Sequence, residues 1–215
     1  MSDRTPLYGG TGQISIRQER SEASRSVSSH LSMPGHVGTH IDAPKHFDER
    51  GKTLDQFPAD FWISHRSMLI DVIVEPGEIL ELEKVGSQLQ SIPHDCDLLL
   101  LRTGAEKWRK FDPEVYTKKG PGVGPGIAKW LRRNRRIKFL GLDFISVSSF
   151  SHREIGRAAH RELLSTNEEG LPPILPIEDM NLENLKAAPS LAIISPLLFE
   201  NADGAPVMVL GEVNP

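Results

Sequence analysis

The stretch Pro34-Gly35-His36-Val37-Gly38-Thr39-His40-Ile41-Asp42-Ala43-Pro44-Lys45-His46-Phe47 constrains this chain more than any other. It sets three histidines and one aspartate within eleven residues. Neutral imidazoles and an ionised carboxylate all offer lone pairs to a divalent cation. A mixed nitrogen/oxygen set suits Zn²⁺ or Mn²⁺ better than Ca²⁺ or Mg²⁺, which prefer oxygen alone, and Zn²⁺ is the first expectation. His36 and His40 stand four apart, as in a helical zinc motif, but Pro34, Gly35, Gly38 and Pro44 oppose a helix. The Glu that a metalloprotease carries after its first His is also absent. In an extended chain His36, His40, Asp42 and His46 share one face. A straight strand would set His36 and His46 about 33 Å apart, too far for one metal centre. The segment is therefore expected to fold back at its glycines.

His-x-Gly-Thr-His-x-Asp-x-Pro-x-His resembles the signature of the cyclase family of metal-dependent hydrolases, which includes bacterial kynurenine formamidases (arylformamidases) and isatin hydrolases. The resemblance continues through Leu99–Gly104 (a strand ending in Arg-Thr-Gly), Gly141–Ser146 (Gly-x-Asp-x-x-Ser), His160–Leu164 and Ala202–Val207, in order and over nearly the whole chain. It implies a swivelling β/β/α fold of the α/β class, with a mixed, partly barrel-like sheet flanked by helices. It implies His36, His40 and Asp42 as metal ligands, Asp42 as a bridge between two metals, and His160 as a ligand of the second metal. The last ligand implied is Glu178, beyond a loop lengthened by Asn167–Pro173, in preference to Glu168 or Glu169. His46 corresponds to the catalytic proton carrier, Tyr8 to an aromatic against the substrate, and Phe47 is a pocket candidate beside His46. One or two metals per chain and a homodimer or homotetramer go with the family.

At 215 residues and 38% hydrophobic, the chain is expected to form a single domain over 1–215 with ample core. A net charge of −4 gives no general attraction to nucleic acid or to an anionic membrane. The single cysteine, Cys96, excludes an internal disulfide. No signal-like apolar core or membrane-length run is present, and a cytoplasmic location is expected.

Gln13–Arg17, Ser26–Met33, Met68–Val74, Asp97–Arg102, Ile137–Leu142, Leu191–Ser195 and Pro206–Val213 read as strands. Asp97–Arg102 is a continuous apolar run, expected inside a sheet covered on both faces. Glu83–Ser91 and Ile127–Arg135 read as helices, the second with a solvated basic face of Arg132, Arg133, Arg135 and Arg136. Pro121–Gly126 reads as a surface loop or lid, since it lacks the Gly-Lys-Ser/Thr of a phosphate loop. Phe57, Phe61 and Trp62 read as packing. Ser151 and Glu154 form a capping-box pattern for a helix whose buried face is Ile155, Ala158, Ala159 and Leu163. Ser146, Ser148 and Ser149 lack a nucleophile elbow and are expected to orient the metal groups or cap that helix. Thr39 and Asp143 are expected to orient the ligands.

The function that follows is hydrolysis of an amide-type C–N bond by metal-activated hydroxide, with His46 moving the proton to the leaving amine. N-formylkynurenine is the first substrate and a lactam, as in isatin hydrolysis, the second. A non-catalytic metal-binding homologue is the alternative of another class. A cyclase that closes a ring rests only on the family's name.

Overall fold

A computed structural model describes residues 1–166 and 169–212. The strands are β1 (Ser15–Ser21), β2 (Ser26–Ser32), β3 (His40–Asp42), β4 (Ile63–Ser64), β5 (Ser67–Asp71), β6 (Ile79–Leu80), β7 (Leu98–Arg102), β8 (Gly122–Val123), β9 (Phe139–Leu142), β10 (Leu175–Glu178), β11 (Leu191–Pro196) and β12 (Gly204–Glu212). The helices are α1 (Leu82–Gln90), α2 (Glu106–Phe111), α3 (Pro113–Lys118), α4 (Pro125–Asn134) and α5 (Arg153–Leu164). The end of the last expected strand, Val213, and the loop residues Asn167 and Glu168 lie outside the described residues.

Eight strands make one mixed sheet in the order β4-β11-β12-β3-β10-β9-β7-β5. β5, β7, β9 and β10 run parallel, whereas β3, β12, β11 and β4 continue the sheet through antiparallel pairs. The two edge strands, β4 and β5, are separated in sequence by His65 and Arg66 alone. Three peptide links span at most about 11 Å, so the edges must approach and the sheet curls toward a barrel. Asp97 sits at this seam, accepting from Ser64 Oγ at 2.6 Å and from the Arg66 N–H at 3.1 Å.

The strand β7 shows why both sides are apolar. Leu99 and Leu101 face a core formed with α1, α4 and α5, while Leu98 and Leu100 face the barrel interior with Ile41, Ile177 and Ile194. This is the doubly covered strand its composition implies. Phe61 and Trp62 pack against Phe139 of that interior core, and Phe57 packs on both of them, which assigns those aromatics to packing.

Four local expectations are corrected. Pro121–Gly124 is buried, and Gly122–Val123 pairs with Ile79–Leu80 as β8, so this segment is no lid. A β-carbon on Gly122 would lie 2.8 Å from the Ser149 nitrogen and 2.9 Å from Ile79 Cδ1, so only glycine permits that close pairing. Arg132 is only 5% exposed. Its guanidinium donates to the carbonyls of Glu162, Ser165, Leu171 and Pro172, tying α4 to the end of α5 and the approach to β10. Ser151 donates instead to the Lys118 carbonyl, and a 3-10 turn at Phe150–His152 precedes α5, so no capping box forms. Ile155 is exposed; Gly156, Ala159, His160, Leu163 and Leu164 make the buried face.

The hairpin β1–β2 stands apart from the large sheet, and every residue in its two strands is exposed.

Candidate metal centre

The signature does fold back. Gly38 has φ of +61°, in the left-handed region that a β-carbon disfavours, and it turns the chain between His36 and His40. A β-carbon on Gly204 would lie 2.3 Å from His36 Cε1, so the start of β12 leaves room for that ring only as glycine. His40 and Asp42 sit on β3; Glu178, at the end of β10, is the register partner of His40. His46 follows on a 3-10 turn, Pro44–His46, and His160 reaches in from α5.

These side chains converge. Asp42 Oδ1 lies 2.8 Å from His36 Nδ1 and 3.6 Å from His40 Nε2, and Asp42 Oδ2 lies 3.4 Å from His160 Nε2. Glu178 Oε2 is 3.2 Å from His40 Nε2, and Glu178 Oε1 is 3.3 Å from His160 Nε2. Asp42 thus turns its two oxygens toward different imidazoles. Two groups offer donor atoms that all lie within 4.8 Å of one another: His36, Asp42 and His46, and His40, Asp42 and Glu178. His46 therefore stands close enough to the first group to be counted with it.

The tautomers decide what this cluster needs. His40 Nδ1 is 2.7 Å from the Gly38 carbonyl, and His160 Nδ1 is 2.9 Å from the Gly156 carbonyl. A carbonyl only accepts, so each Nδ1 carries hydrogen and each Nε2 is left to face the carboxylates. A neutral Nε2 and a carboxylate oxygen are two acceptors face to face. A proton or a metal cation must lie between them, and this donor chemistry fits a divalent cation. The electrostatics agree. Burial opposes the charge of His36 and His160, but the carboxylates outweigh it and raise both to about 10. Burial and Asp42 push Glu178 up, yet His160 and His40 hold it down at about 2.

Surrounding groups fix the carboxylates. The Val147 N–H and Ser146 hydroxyl donate to Glu178 Oε1 at 2.6 and 3.1 Å, and Ser148 Oγ lies 3.2 Å from His160 Nδ1. Thr39 donates to the Asp179 carbonyl at 2.7 Å, beside Glu178. Asp143 does otherwise than expected: it accepts from the Thr103 and Gly104 N–H groups and the Thr103 hydroxyl, joining the ends of β7 and β9.

Two acidic residues escape a reading of the sequence. Asp203 Oδ2 lies 3.0 Å from His36 Nε2 and 3.2 Å from His46 Nδ1, and these imidazoles hold its carboxyl well below the usual range. Its signal is its place in the Ala-Asp-Gly-Ala-Pro turn, far from the histidines in sequence. Asp179, with φ of +55°, is buried and takes donation from Arg109 and Tyr116. A cavity of about 230 Å³ opens over the cluster. Tyr8 and Phe47 both line it, and Phe47 stacks on the His160 ring at 4.6 Å.

The family model described as "Putative cyclase" matches residues 1–149. The kynurenine formamidase of Geobacillus thermodenitrificans (strain NG80-2) is 29% identical over 214 residues, covering 96% of this chain and 91% of that protein. A kynurenine formamidase of Bacillus cereus (strain ATCC 14579) is 32% identical over 192 residues, covering 86% and 80%. Among solved structures, isatin hydrolase A from Labrenzia aggregata, bound to benzyl benzoate, shares the fold with a TM-score of 0.73 at 23% identity, covering 93% of this chain and 84% of that one. A structure described as a potential metal-dependent hydrolase with cyclase activity has a TM-score of 0.74 at 21% identity, covering 100% and 95%. With its family model matched over most of its length and its relatives aligned nearly end to end, this chain belongs to the "Putative cyclase" family.

Proposed function

We propose that this chain is a metal-dependent hydrolase of amide-type C–N bonds with the activity of a kynurenine formamidase. The observation that carries the reading is the set of imidazole Nε2 atoms and carboxylate oxygens facing one another beneath a cavity. His36, His40, Asp42, His160 and Glu178 would hold one or two divalent ions, Zn²⁺ first and Mn²⁺ second. Such an ion supplies Lewis-acid charge for a carbonyl oxygen and acidifies a water.

The chain's own residues do the rest. His46 is partly exposed to the cavity, with Nδ1 held by Asp203. That contact leaves His46 Nε2 to take a proton from the attacking water and pass it to the leaving nitrogen. The ring of His36 stacks on His46 at 3.9 Å and limits its rotation. Water adds to the formyl carbon, the C–N bond breaks, and formate and an aryl amine leave. Tyr8 and Phe47 supply the aromatic walls. Lactam hydrolysis is the second reading, since it needs the same atoms and a relative of the same fold is named for it.

The reading extends to a single domain, supported by one sheet whose strands serve both apolar cores. It also extends to a homodimer or homotetramer. Ile16, Val27 and Leu31 share one exposed face of the hairpin, and a two-stranded hairpin has little stability of its own. No described helix is long and apolar enough to cross a membrane. A cytoplasmic location fits the buried thiol of Cys96, which burial pushes up to about 12.

Metal content and N-formylkynurenine hydrolysis should be measured on wild type, His160→Ala and His46→Gln. Wild type is expected to hold metal and release formate. His160→Ala should lose metal, and His46→Gln should keep metal while turnover falls about 10²–10⁴-fold. A wild-type chain that takes up no metal on reconstitution would overturn the mechanism. Full metal loading with no turnover of amides, lactams or esters would favour the non-catalytic homologue.

A further inference from the structure

We infer that Arg153 and Arg157 form an anion-recognition wall of the cavity, which receives the carboxylate of an aryl amide substrate and selects it over a neutral lactam. The inference deepens the hydrolase reading and rests on it for the reaction, not for the binding.

Three residues of α5 line the cavity: Arg153, Arg157 and His160. They are spaced four and three apart, which sets them along one helix face. At about 1.5 Å per residue, Arg157 lies about 4.5 Å and Arg153 about 10.5 Å along the axis from His160. The helix therefore carries an imidazole at the floor, beside Asp42 and Glu178, and two guanidiniums toward the rim. The cavity is acidic at one end and basic at the other. An anionic group is repelled from the carboxylate floor and drawn to the rim, which leaves the far end of the same molecule over the metal centre.

Arg153 is set up for such a partner. Its guanidinium lies over the Phe150 ring at 5.3 Å, and Phe150 packs edge-on against Tyr8 at 5.3 Å. Among the described residues it makes no ion pair. Arg157 pairs with Glu154, whose side chain is 82% exposed. Exposed pairs of this kind contribute little, so a ligand carboxylate competes well for the guanidinium. Both cations act on the cavity itself: they oppose the rise that burial imposes on the Tyr8 phenol. A guanidinium fork binds a carboxylate through two parallel hydrogen bonds, which fixes direction as well as affinity. A neutral lactam would leave both forks unused.

The test compares the carboxylate-bearing N-formylkynurenine with its uncharged carboxamide, on metal-loaded wild type and on Arg153→Ala/Arg157→Ala. Wild type is expected to prefer the acid by about 10-fold or more in kcat/KM, chiefly through KM, and the double variant to lose that preference. Equal preference in both proteins would overturn the inference. Equilibrium binding of anthranilate is measured on the same proteins in parallel. Binding that disappears in the double variant, without turnover of any amide, would keep the wall and discard the hydrolase reading. Anthranilate binding of equal strength in both would discard the wall. Circular dichroism melts of the variant exclude unfolding as the cause of either loss.

Discussion

One carboxylate, Asp203, holds two imidazoles at once. It meets His36 on the nitrogen turned away from Asp42, and it meets His46 on Nδ1. A carboxylate behind a ligating histidine fixes the ring and raises its basicity. Replacing Asp203 by Asn keeps the shape but removes the charge and offers an N–H where the rings need an acceptor. Asp203→Asn should lower metal affinity or turnover about 10–100-fold, measured by competitive chelation and by formate release. Unchanged values for both would remove Asp203 from the site. The histidines and Asp42 were legible because ligand types crowd one short segment, which if straight would hold them too far apart for one metal centre and whose glycines permit it to fold back. Asp203 was not, because its partners lie over 150 residues earlier. A lone Asp before Gly reads as a turn whether or not a ring lies against it. Glu178 and His160 became readable only through the resemblance, since a buried helical histidine looks the same with or without a metal.

At the scale of elements, the sheet strands were legible because burial on both faces leaves an unbroken apolar run, as in Leu98-Leu99-Leu100-Leu101. What misled was chemistry with two outlets. Arg132 belongs to a basic run that reads as solvated, yet four carbonyls at the end of α5 and the following loop satisfy it in the interior. Ser151 has the spacing of a cap, yet the Lys118 carbonyl takes its hydroxyl. The helix α2 carries a further test. Glu106 in its first turn accepts from the Leu182 N–H at 2.7 Å. Burial, reinforced by Asp143, raises this carboxyl to about 7, from an ordinary value of 4.5. The folded state then binds the proton more tightly than the unfolded one. Its stabilising contribution is complete below about 4.5 and is lost as pH rises through about 7. Gln at this position keeps the acceptor and cannot ionise. Glu106→Gln should therefore melt higher than wild type at pH 8, with the gap closing toward pH 5. An identical gap at both pH values would show that Glu106 does not titrate in this range.

For the whole molecule, the candidate centre is where the two halves of the sheet meet. β3 is the first antiparallel strand beside the parallel set, and β10 is the last parallel one; His40 and Glu178 face each other across that junction. His160 adds the helical layer, and His36 and Asp203 add the two loops that flank β3 and β12. An ion held by these residues clips together segments far apart in sequence, in a geometry the unfolded chain does not possess. Ligation to the folded state alone stabilises it by mass action, about 2.7 kcal/mol at a hundredfold excess over Kd. For a chain of this size that corresponds to a rise in Tm of about 5–10 °C. Zn²⁺ or Mn²⁺ added to chelator-treated protein should produce that rise, EDTA should reverse it, and His160→Ala should show less of it. Sheet junction and candidate metal centre coincide, so the loss of Tm on chelation should appear equally in far-ultraviolet circular dichroism and in the fluorescence of the three tryptophans, of which Trp62 lies in one core and Trp108 and Trp130 pack against the other. A rise seen by one probe alone would mean that the ion stabilises one layer and does not join the two.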